Sequence, residues 1–159
     1  SNAAVNVNLA VTTAQVGGHA AGDTMFNIEN IIGSSHNDTL LGSSIANIIN
    51  GGLGKDTMTG GAGADVFKYS VIADSGTTST TRDLITDFVS GTDKIDLGDF
   101  AGSFTFKGTG AFTGTANEVN YTQVGGNTIV GIDADGNGVL DSQIELTGLH
   151  TMAASDFLL

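Results

Sequence analysis

Gly51-Gly52-Leu53-Gly54-Lys55-Asp56-Thr57-Met58-Thr59 runs without a break into Gly60-Gly61-Ala62-Gly63-Ala64-Asp65-Val66-Phe67-Lys68. Both nonapeptides obey G-G-x-G-x-D-x-U-x, with U apolar, at every specified position. Two weaker copies precede them in phase. Gly33-Ser34-Ser35-His36-Asn37-Asp38-Thr39-Leu40-Leu41 keeps the first glycine, the aspartate and the apolar residue. Gly42-Ser43-Ser44-Ile45-Ala46-Asn47-Ile48-Ile49-Asn50 keeps the first glycine and carries Asn at the aspartate position. The apolar positions form a ladder of Leu40, Ile49, Met58 and Phe67, with Ile31 one step upstream.

Residue types turn this period into a shape. Glycines at fixed positions permit positive φ and a tight turn whose carbonyls point inward. The x-U-x triplet is long enough only for a very short strand with its central side chain inside. One nine-residue unit is therefore half a coil, and two make one turn of a flattened solenoid. Loops on the same edge then come from repeats i and i+2, which pairs Asp38 with Asp56 and Asn47 with Asp65. Stacked carboxylates at that spacing repel unless a cation lies between them. A hard cation taking 6–8 oxygens fits such a gap, which points to Ca²⁺ rather than Mg²⁺ or a transition metal.

The nonapeptides resemble the RTX repeats of Ca²⁺-dependent parallel β-rolls. Asn27-Ile28-Glu29-Asn30-Ile31-Ile32-Gly33 is similar to the stretch that leads into such repeats. Asp83-Leu84-Ile85-Thr86-Asp87-Phe88 and Gly91-Thr92-Asp93-Lys94-Ile95-Asp96-Leu97 resemble the segment after the roll in serralysin-type C-terminal domains. The resemblance implies an all-β fold, a parallel β-roll with N-terminal capping strands and a β-rich C-terminal flank. It also implies about two to four calcium ions. Their ligands would come from Gly51, Gly52, Leu53 and Gly54 with Asp56, and from Gly60, Gly61, Ala62 and Gly63 with Asp65. Gly33, Ser35 and Asp38, and Gly42 and Asn47, match in part, and Asp83 would close the last site. His36 and Ile45 stand where the pattern has glycine, so those two loops are expected to bend differently or bind more weakly.

Composition narrows the function classes. Glycine is 24 of 159 residues, about 15% against an average near 7%. Five Lys+Arg stand against 17 Asp+Glu, a net charge of −12, which gives nucleic acid or an anionic membrane no basic footprint. Cysteine and proline are absent, so disulfides and thiol chemistry are excluded. No run of 18 apolar residues suggests a membrane span. His19, His36 and His150 are isolated, with neither HExxH nor GxSxG, so the chain is read as non-catalytic.

The flanks read as follows. Ser1-Asn2-Ala3 looks like a tag remnant, residues 4–32 like an N-terminal cap, 33–68 the repeats and 83–159 a β-rich flank, all in one domain. Ala4 to Val11 alternates as a strand, and Phe104-Thr105-Phe106 is a short strand candidate. Val119–Val124 and Asn127–Ile132 flank Gly125-Gly126 as a hairpin, and Gln143–Leu146 is a further strand. Asp133, Asp135, Asn137 and Asp141 open like an EF-hand loop, a possible second metal site. Ile144 stands where a bidentate Glu is needed, and a plain turn explains the same residues.

Asp156-Phe157-Leu158-Leu159 resembles the C-terminal signal of type I secretion substrates, and equally a closing strand. The expected function is thus a calcium-binding module of a larger secreted bacterial protein, which folds on exit through the type I secretion machinery. The alternatives are an acidic-polysaccharide (alginate-like) binding module and an adhesin tip.

Overall fold

The computed structural model describes residues 1–159, with thirteen β-strands, three single turns of 3-10 helix and no α-helix. Strands are numbered in chain order. One sheet contains β1 (Asn6–Asn8), β3 (Thr39–Leu41), β5 (Thr57–Thr59), β7 (Asp83–Ile85), β12 (Ser142–Leu146), β11 (Asn127–Asp133), β10 (Glu118–Val124) and β9 (Thr105–Phe106), in that spatial order. The other contains β13 (Phe157–Leu158), β8 (Lys94–Asp96), β6 (Val66–Lys68), β4 (Ile48–Gly52) and β2 (Asn30–Ser34). The second sheet is parallel throughout, and the first is parallel from β1 to β12.

The repeat sets the register. Leu40 lies opposite Met58 in the first sheet and Ile49 opposite Phe67 in the second, each pair eighteen residues apart. Successive nonapeptides therefore alternate between sheets, as a half-coil unit requires. Their apolar residues meet between the layers, where Leu40, Ile49, Met58 and Phe67 are fully buried. The ladder continues beyond the repeats through Ile85 and Ile95, also fully buried. Its step changes there: Met58 faces Ile85 and Phe67 faces Ile95, gaps of 27 and 28 residues. The extra length is looped out, mostly in the connection 69–82 between β6 and β7.

At the front, β1 is shorter than the alternating stretch suggested, and adds a parallel rung beside β3 with Val5 and Val7 in the core. At the back the first sheet changes to antiparallel pairing. The β10–β11 hairpin turns at Gly125 and Gly126, with φ of +63° and +89°, as a tight hairpin turn demands. The chain closes with β13 beside β8, and Phe157 is buried.

Candidate metal centre

The position-six residues of the repeats all stand at the two edges of the roll, where connections enter the next strand. Edge one carries connections 35–38, 53–56 and 69–82, and edge two carries 42–47, 60–65 and 86–93. On edge one the Val5 amide donates to Asp38 Oδ1 at 2.7 Å. The Asp38 amide donates to Asp56 Oδ1 and the Asp56 amide to Asp83 Oδ1, each at 2.7 Å. The Ser75 hydroxyl ends the series by accepting the Asp83 amide at 2.8 Å. On edge two the Asn47 amide donates to Asp65 Oδ1 at 2.8 Å, and the Asp65 amide to Asp93 Oδ1 at 3.0 Å. Each rung thus hands one backbone N–H to the next carboxylate, so the acids are buried in register: Asp38, Asp56, Asp65, Asp83 and Asp93 are all at most 3% exposed.

What happens to the second oxygen separates the perfect repeats from the imperfect ones. Asp38 Oδ2 accepts the Ser34 amide, and the Ser34 hydroxyl donates to Asp38 Oδ1 at 2.9 Å. Asn47 Oδ1 likewise accepts the Ser43 amide at 2.7 Å, and its Nδ2 donates to the Glu29 carbonyl at 3.1 Å. The perfect copies carry glycine in place of those serines, at φ +85° for Gly52 and +96° for Gly61. That backbone turns the amides elsewhere: Gly52 N–H to Asn50 Oδ1 at 2.9 Å and Gly61 N–H to Asp87 Oδ2 at 2.8 Å. Asp56 Oδ2 and Asp65 Oδ2 are consequently buried without any hydrogen-bond partner, and Asp83 Oδ2, outside the repeats, is buried as well, with the Tyr69 hydroxyl on its side chain. The imperfect loops do bend differently, since neither Ser34, His36, Ser43 nor Ile45 has positive φ.

The first glycine of each repeat lies against these oxygens. A Cβ on Gly33 would sit 2.2 Å from the Gly51 carbonyl oxygen and 2.5 Å from Asp38 Oδ2. On Gly42 it would meet the Gly60 carbonyl at 2.2 Å and Asn47 Oδ1 at 2.6 Å. On Gly51 and Gly60 it would meet Asp56 Oδ2 at 2.1 Å and Asp65 Oδ2 at 2.4 Å. Side-chain and main-chain oxygens converge where no side chain fits. The donor set is entirely oxygen, which suits a hard cation such as calcium and not a thiophilic metal.

Electrostatics agree with that chemistry. Burial, reinforced by the charges of Asp38 and Asp74 and opposed by the Asp38 amide, pushes the Asp56 carboxyl up to about 7. Burial and the charges of Asp56 and Asp74 push Asp83 up to about 8, against the hydrogen bonds it receives. Asp65 is raised by burial and by Asp93 and Asp87. No Lys or Arg is among the groups acting on these three. A buried carboxylate without a cation is held at a large desolvation penalty.

Of the remaining sequence candidates, Ser35, Leu53, Ala62, Gly61 and Gly63 lie exposed on the outer rims of their loops, and Gly54 is partly covered. Asp133, Asp135 and Asp141 do converge, with one carboxylate oxygen of each within 4.8 Å of the others, at the turn between β11 and β12. The loop's own amides also bind these carboxylates. Asp133 accepts the Gly136 and Gly138 amides at 2.8 and 2.9 Å, and Asp141 accepts the Ala134 amide at 2.8 Å. The Asn137 amide donates to Asp135, and Ile144 is buried in the core.

Sequence reasoning missed Asp74, Asp87, Asp93 and Tyr69 as parts of this architecture. Asp87 accepts both the Gly60 and Gly61 amides, at 2.9 and 2.8 Å, and so fixes the second perfect loop from the next rung. A signal for Asp74 was present: it stands nine residues after Asp65 and nine before Asp83.

Glycine geometry supplies a direct test. Gly61→Ala places a Cβ 2.1 Å from the Ser43 carbonyl at φ +96°, whereas Gly91→Ala at φ +85° meets nothing within 4 Å. The left-handed backbone alone costs roughly 1–2 kcal/mol. Gly61→Ala is therefore expected to lose clearly more stability than Gly91→Ala in denaturant titrations, and equal losses would refute the close stacking of these loops.

Comparison with known proteins places the chain. No curated protein matches it. Its structure is similar to the solution structures of two subunits of AlgE6, a mannuronan C5-epimerase of Azotobacter vinelandii. The R3 subunit has 26% identity, a TM-score of 0.55, and coverage of 80% of this chain and 76% of that one. The R2 subunit has 28% identity, a TM-score of 0.55, and coverage of 84% and 94%. A family profile, Peptidase M10 serralysin C terminal, matches residues 2–159. With the tandem nonapeptides and the parallel two-sheet roll, that match over nearly the whole length means that the chain belongs to the serralysin C-terminal family of RTX-type calcium-binding β-rolls.

Proposed function

We propose that this chain is a non-catalytic module at the C-terminus of a larger secreted bacterial protein, and that calcium drives its folding after type I secretion. One observation carries the reading: Asp56 Oδ2 and Asp65 Oδ2 are buried without partners beside Gly51 and Gly60, which leave no room for a side chain, and Asp83 Oδ2 is buried on the next rung. These three carboxylates, with the Gly51 and Gly60 carbonyls, are the residues best fitted to hold calcium. The Asp38 and Asn47 rungs, already satisfied by Ser34 and Ser43, would bind more weakly. About two to four ions per chain are the expected load.

The coupling to export rests on charge and entropy. Without calcium the aligned acids repel and the glycine-rich loops retain high conformational entropy, so the chain stays open. At the 10⁻⁴–10⁻³ M calcium typical of extracellular modules, binding to the folded state alone stabilises it by mass action. Asp156-Phe157-Leu158-Leu159 would serve as the export signal before it becomes the closing strand β13. Circular dichroism and melting in chelator and in millimolar Ca²⁺, with ions counted by native mass spectrometry, test the reading. An unchanged melt with no calcium retained overturns it.

A second reading, calcium-dependent binding of an acidic polysaccharide, is favoured by the likeness to two subunits of a mannuronan C5-epimerase. Direct recognition of sugar carboxylates by cations has little support in this chain. Lys68, Arg82 and Lys107 are paired with Asp99, Glu145 and Glu118, and the Lys55 and Lys94 ammonium groups donate to the Ser79 and Ser155 carbonyls. Bridging calcium would have to do the work. Saturable binding of polymannuronate in calcium, lost in chelator, would establish it.

A further inference from the structure

The two perfect nonapeptides differ in what holds their second glycine. Asn50 stands two residues before Gly52, in the last position of the preceding repeat, and its Oδ1 accepts the Gly52 amide at 2.9 Å. Thr59 occupies the corresponding place before Gly61, but its hydroxyl meets the Thr86 hydroxyl at 2.7 Å instead. The next residue along that neighbouring rung, Asp87, takes over. One of its carboxylate oxygens accepts the Gly60 amide at 2.9 Å and the other the Gly61 amide at 2.8 Å. The second loop thus borrows from outside the repeats the anchor that the first carries within them.

Peptide planarity passes this contact on to the site. In a trans peptide the N–H and the C=O point in opposite directions, and the chain has no cis bond. Holding the Gly61 N–H toward Asp87 therefore turns the Gly60 carbonyl away from it, toward the preceding repeat on the same edge. The oxygen is found there: it lies 2.2 Å from where a Cβ on Gly42 would stand, and Asn47 Oδ1 lies 2.6 Å from the same point. No backbone amide donates to this carbonyl. Asp65 Oδ2, buried and equally unpartnered, lies 2.4 Å from where a Cβ on Gly60 itself would stand.

We infer that Asp87 is a positioning residue for calcium: it holds no ion itself, but aims the Gly60 carbonyl at the cation that Asp65 and Asn47 approach. Both of its oxygens are taken by amides, which leaves the ligand role to the carbonyl. The inference rests on the calcium reading above and adds to it a residue outside the nonapeptide pattern. It also explains the position-nine difference, because a repeat with Asn there holds its own glycine and one with Thr depends on the following rung.

Calcium titration by calorimetry, with ions counted by native mass spectrometry, tests this. Asp87→Ala is expected to weaken one site by about 10–100-fold, the usual effect of removing a group that orients a metal ligand, and to leave the others unchanged. Asp87→Asn keeps one acceptor oxygen and loses less. Thr59→Asn added to Asp87→Ala offers an amide oxygen two residues before Gly61, as Asn50 does before Gly52, and restores the weakened site. A residue that merely packed the loop would not be replaced by that graft, which sacrifices the Thr59–Thr86 contact.

Unchanged affinity in Asp87→Ala, or a loss shared evenly by all sites and untouched by the graft, overturns the inference while leaving the calcium reading intact. A wild-type chain that binds no calcium overturns both. Should Asp87→Ala fail to fold in calcium, Asp87→Asn decides. Weakening confined to one site supports the inference, and full affinity or an even loss overturns it.

Discussion

Asp56→Asn is expected to raise the melting temperature of the metal-free chain at pH 8 while removing much of the stabilisation that calcium confers. The two effects have one cause. Asp56 is fully buried, takes one N–H from Asp38, and leaves Oδ2 without a partner beside Asp83. Its carboxyl is pushed from 3.8 up to about 7, first by burial and then by neighbouring acids. Ionised in the folded chain at pH 8, it opposes folding by up to about 4 kcal/mol, at 1.36 kcal/mol for each pH unit of that displacement. Asparagine keeps an oxygen for the Asp38 amide and presents an NH₂ toward Asp83. Asn47 uses its own Nδ2 this way toward the Glu29 carbonyl. At roughly 2–4 °C per kcal/mol for a chain of this size, the metal-free melt rises by up to about 16 °C. In millimolar calcium the variant lacks one anionic ligand, and the gap between chelator and calcium narrows. Calorimetric scans in both conditions decide it. A variant that melts lower than wild type in chelator would show that the carboxylate stabilises the metal-free fold.

The contrast between Asp56 and Asp38 shows how far the sequence could be read. The period placed Leu40, Ile49, Met58 and Phe67 in one core and paired rungs two repeats apart, and both follow from strand alternation and turn geometry alone. The hairpin at Gly125-Gly126 was equally visible, because two adjacent positive φ angles demand such residues. The fate of each second carboxylate oxygen was not visible. It depends on whether a serine amide points inward, as at Ser34 and Ser43, or a glycine turns it away, as at Gly52 and Gly61. That is a property of backbone conformation, and the pattern records it only as a glycine missing from position two. Asp87 and Asp93 were harder still, because they enter edge two out of the nine-residue step that carries Asp65 to Asp74 and Asp83, so no count along the chain aligns them with the ladder. The cluster at Asp133 was legible in its ligand-like spacing, which does bring Asp133, Asp135 and Asp141 together, but not in the loop amides that Asp133 also accepts.

Acidity is expected to act on the metal-free and calcium-loaded chains with opposite sign. In chelator, the raised carboxyls of Asp56, Asp65 and Asp83 mean that the folded state binds more protons than the unfolded state above about pH 4. Their contribution is fully present below the unfolded value of 3.8, and is lost as pH rises through the folded values of about 7 and 8 for Asp56 and Asp83. Glu145, held low by Arg82 and Asn127, and Asp156, held low by amides and the Ser90 hydroxyl, act in the other direction. Their stabilisation is present above the unfolded value and disappears only as pH falls below about 4. The metal-free fold is therefore most stable near pH 4–5 and weakens steadily toward pH 8. Calcium reverses the slope. Its ligands must be ionised, so protons compete for Asp56, Asp65 and Asp83, and affinity falls as pH drops from 8 toward 5. Melting curves in chelator and in millimolar calcium are expected to lie far apart at pH 8 and to converge near pH 5. Parallel curves across that range would mean that these three buried carboxylates are not where protons and calcium compete.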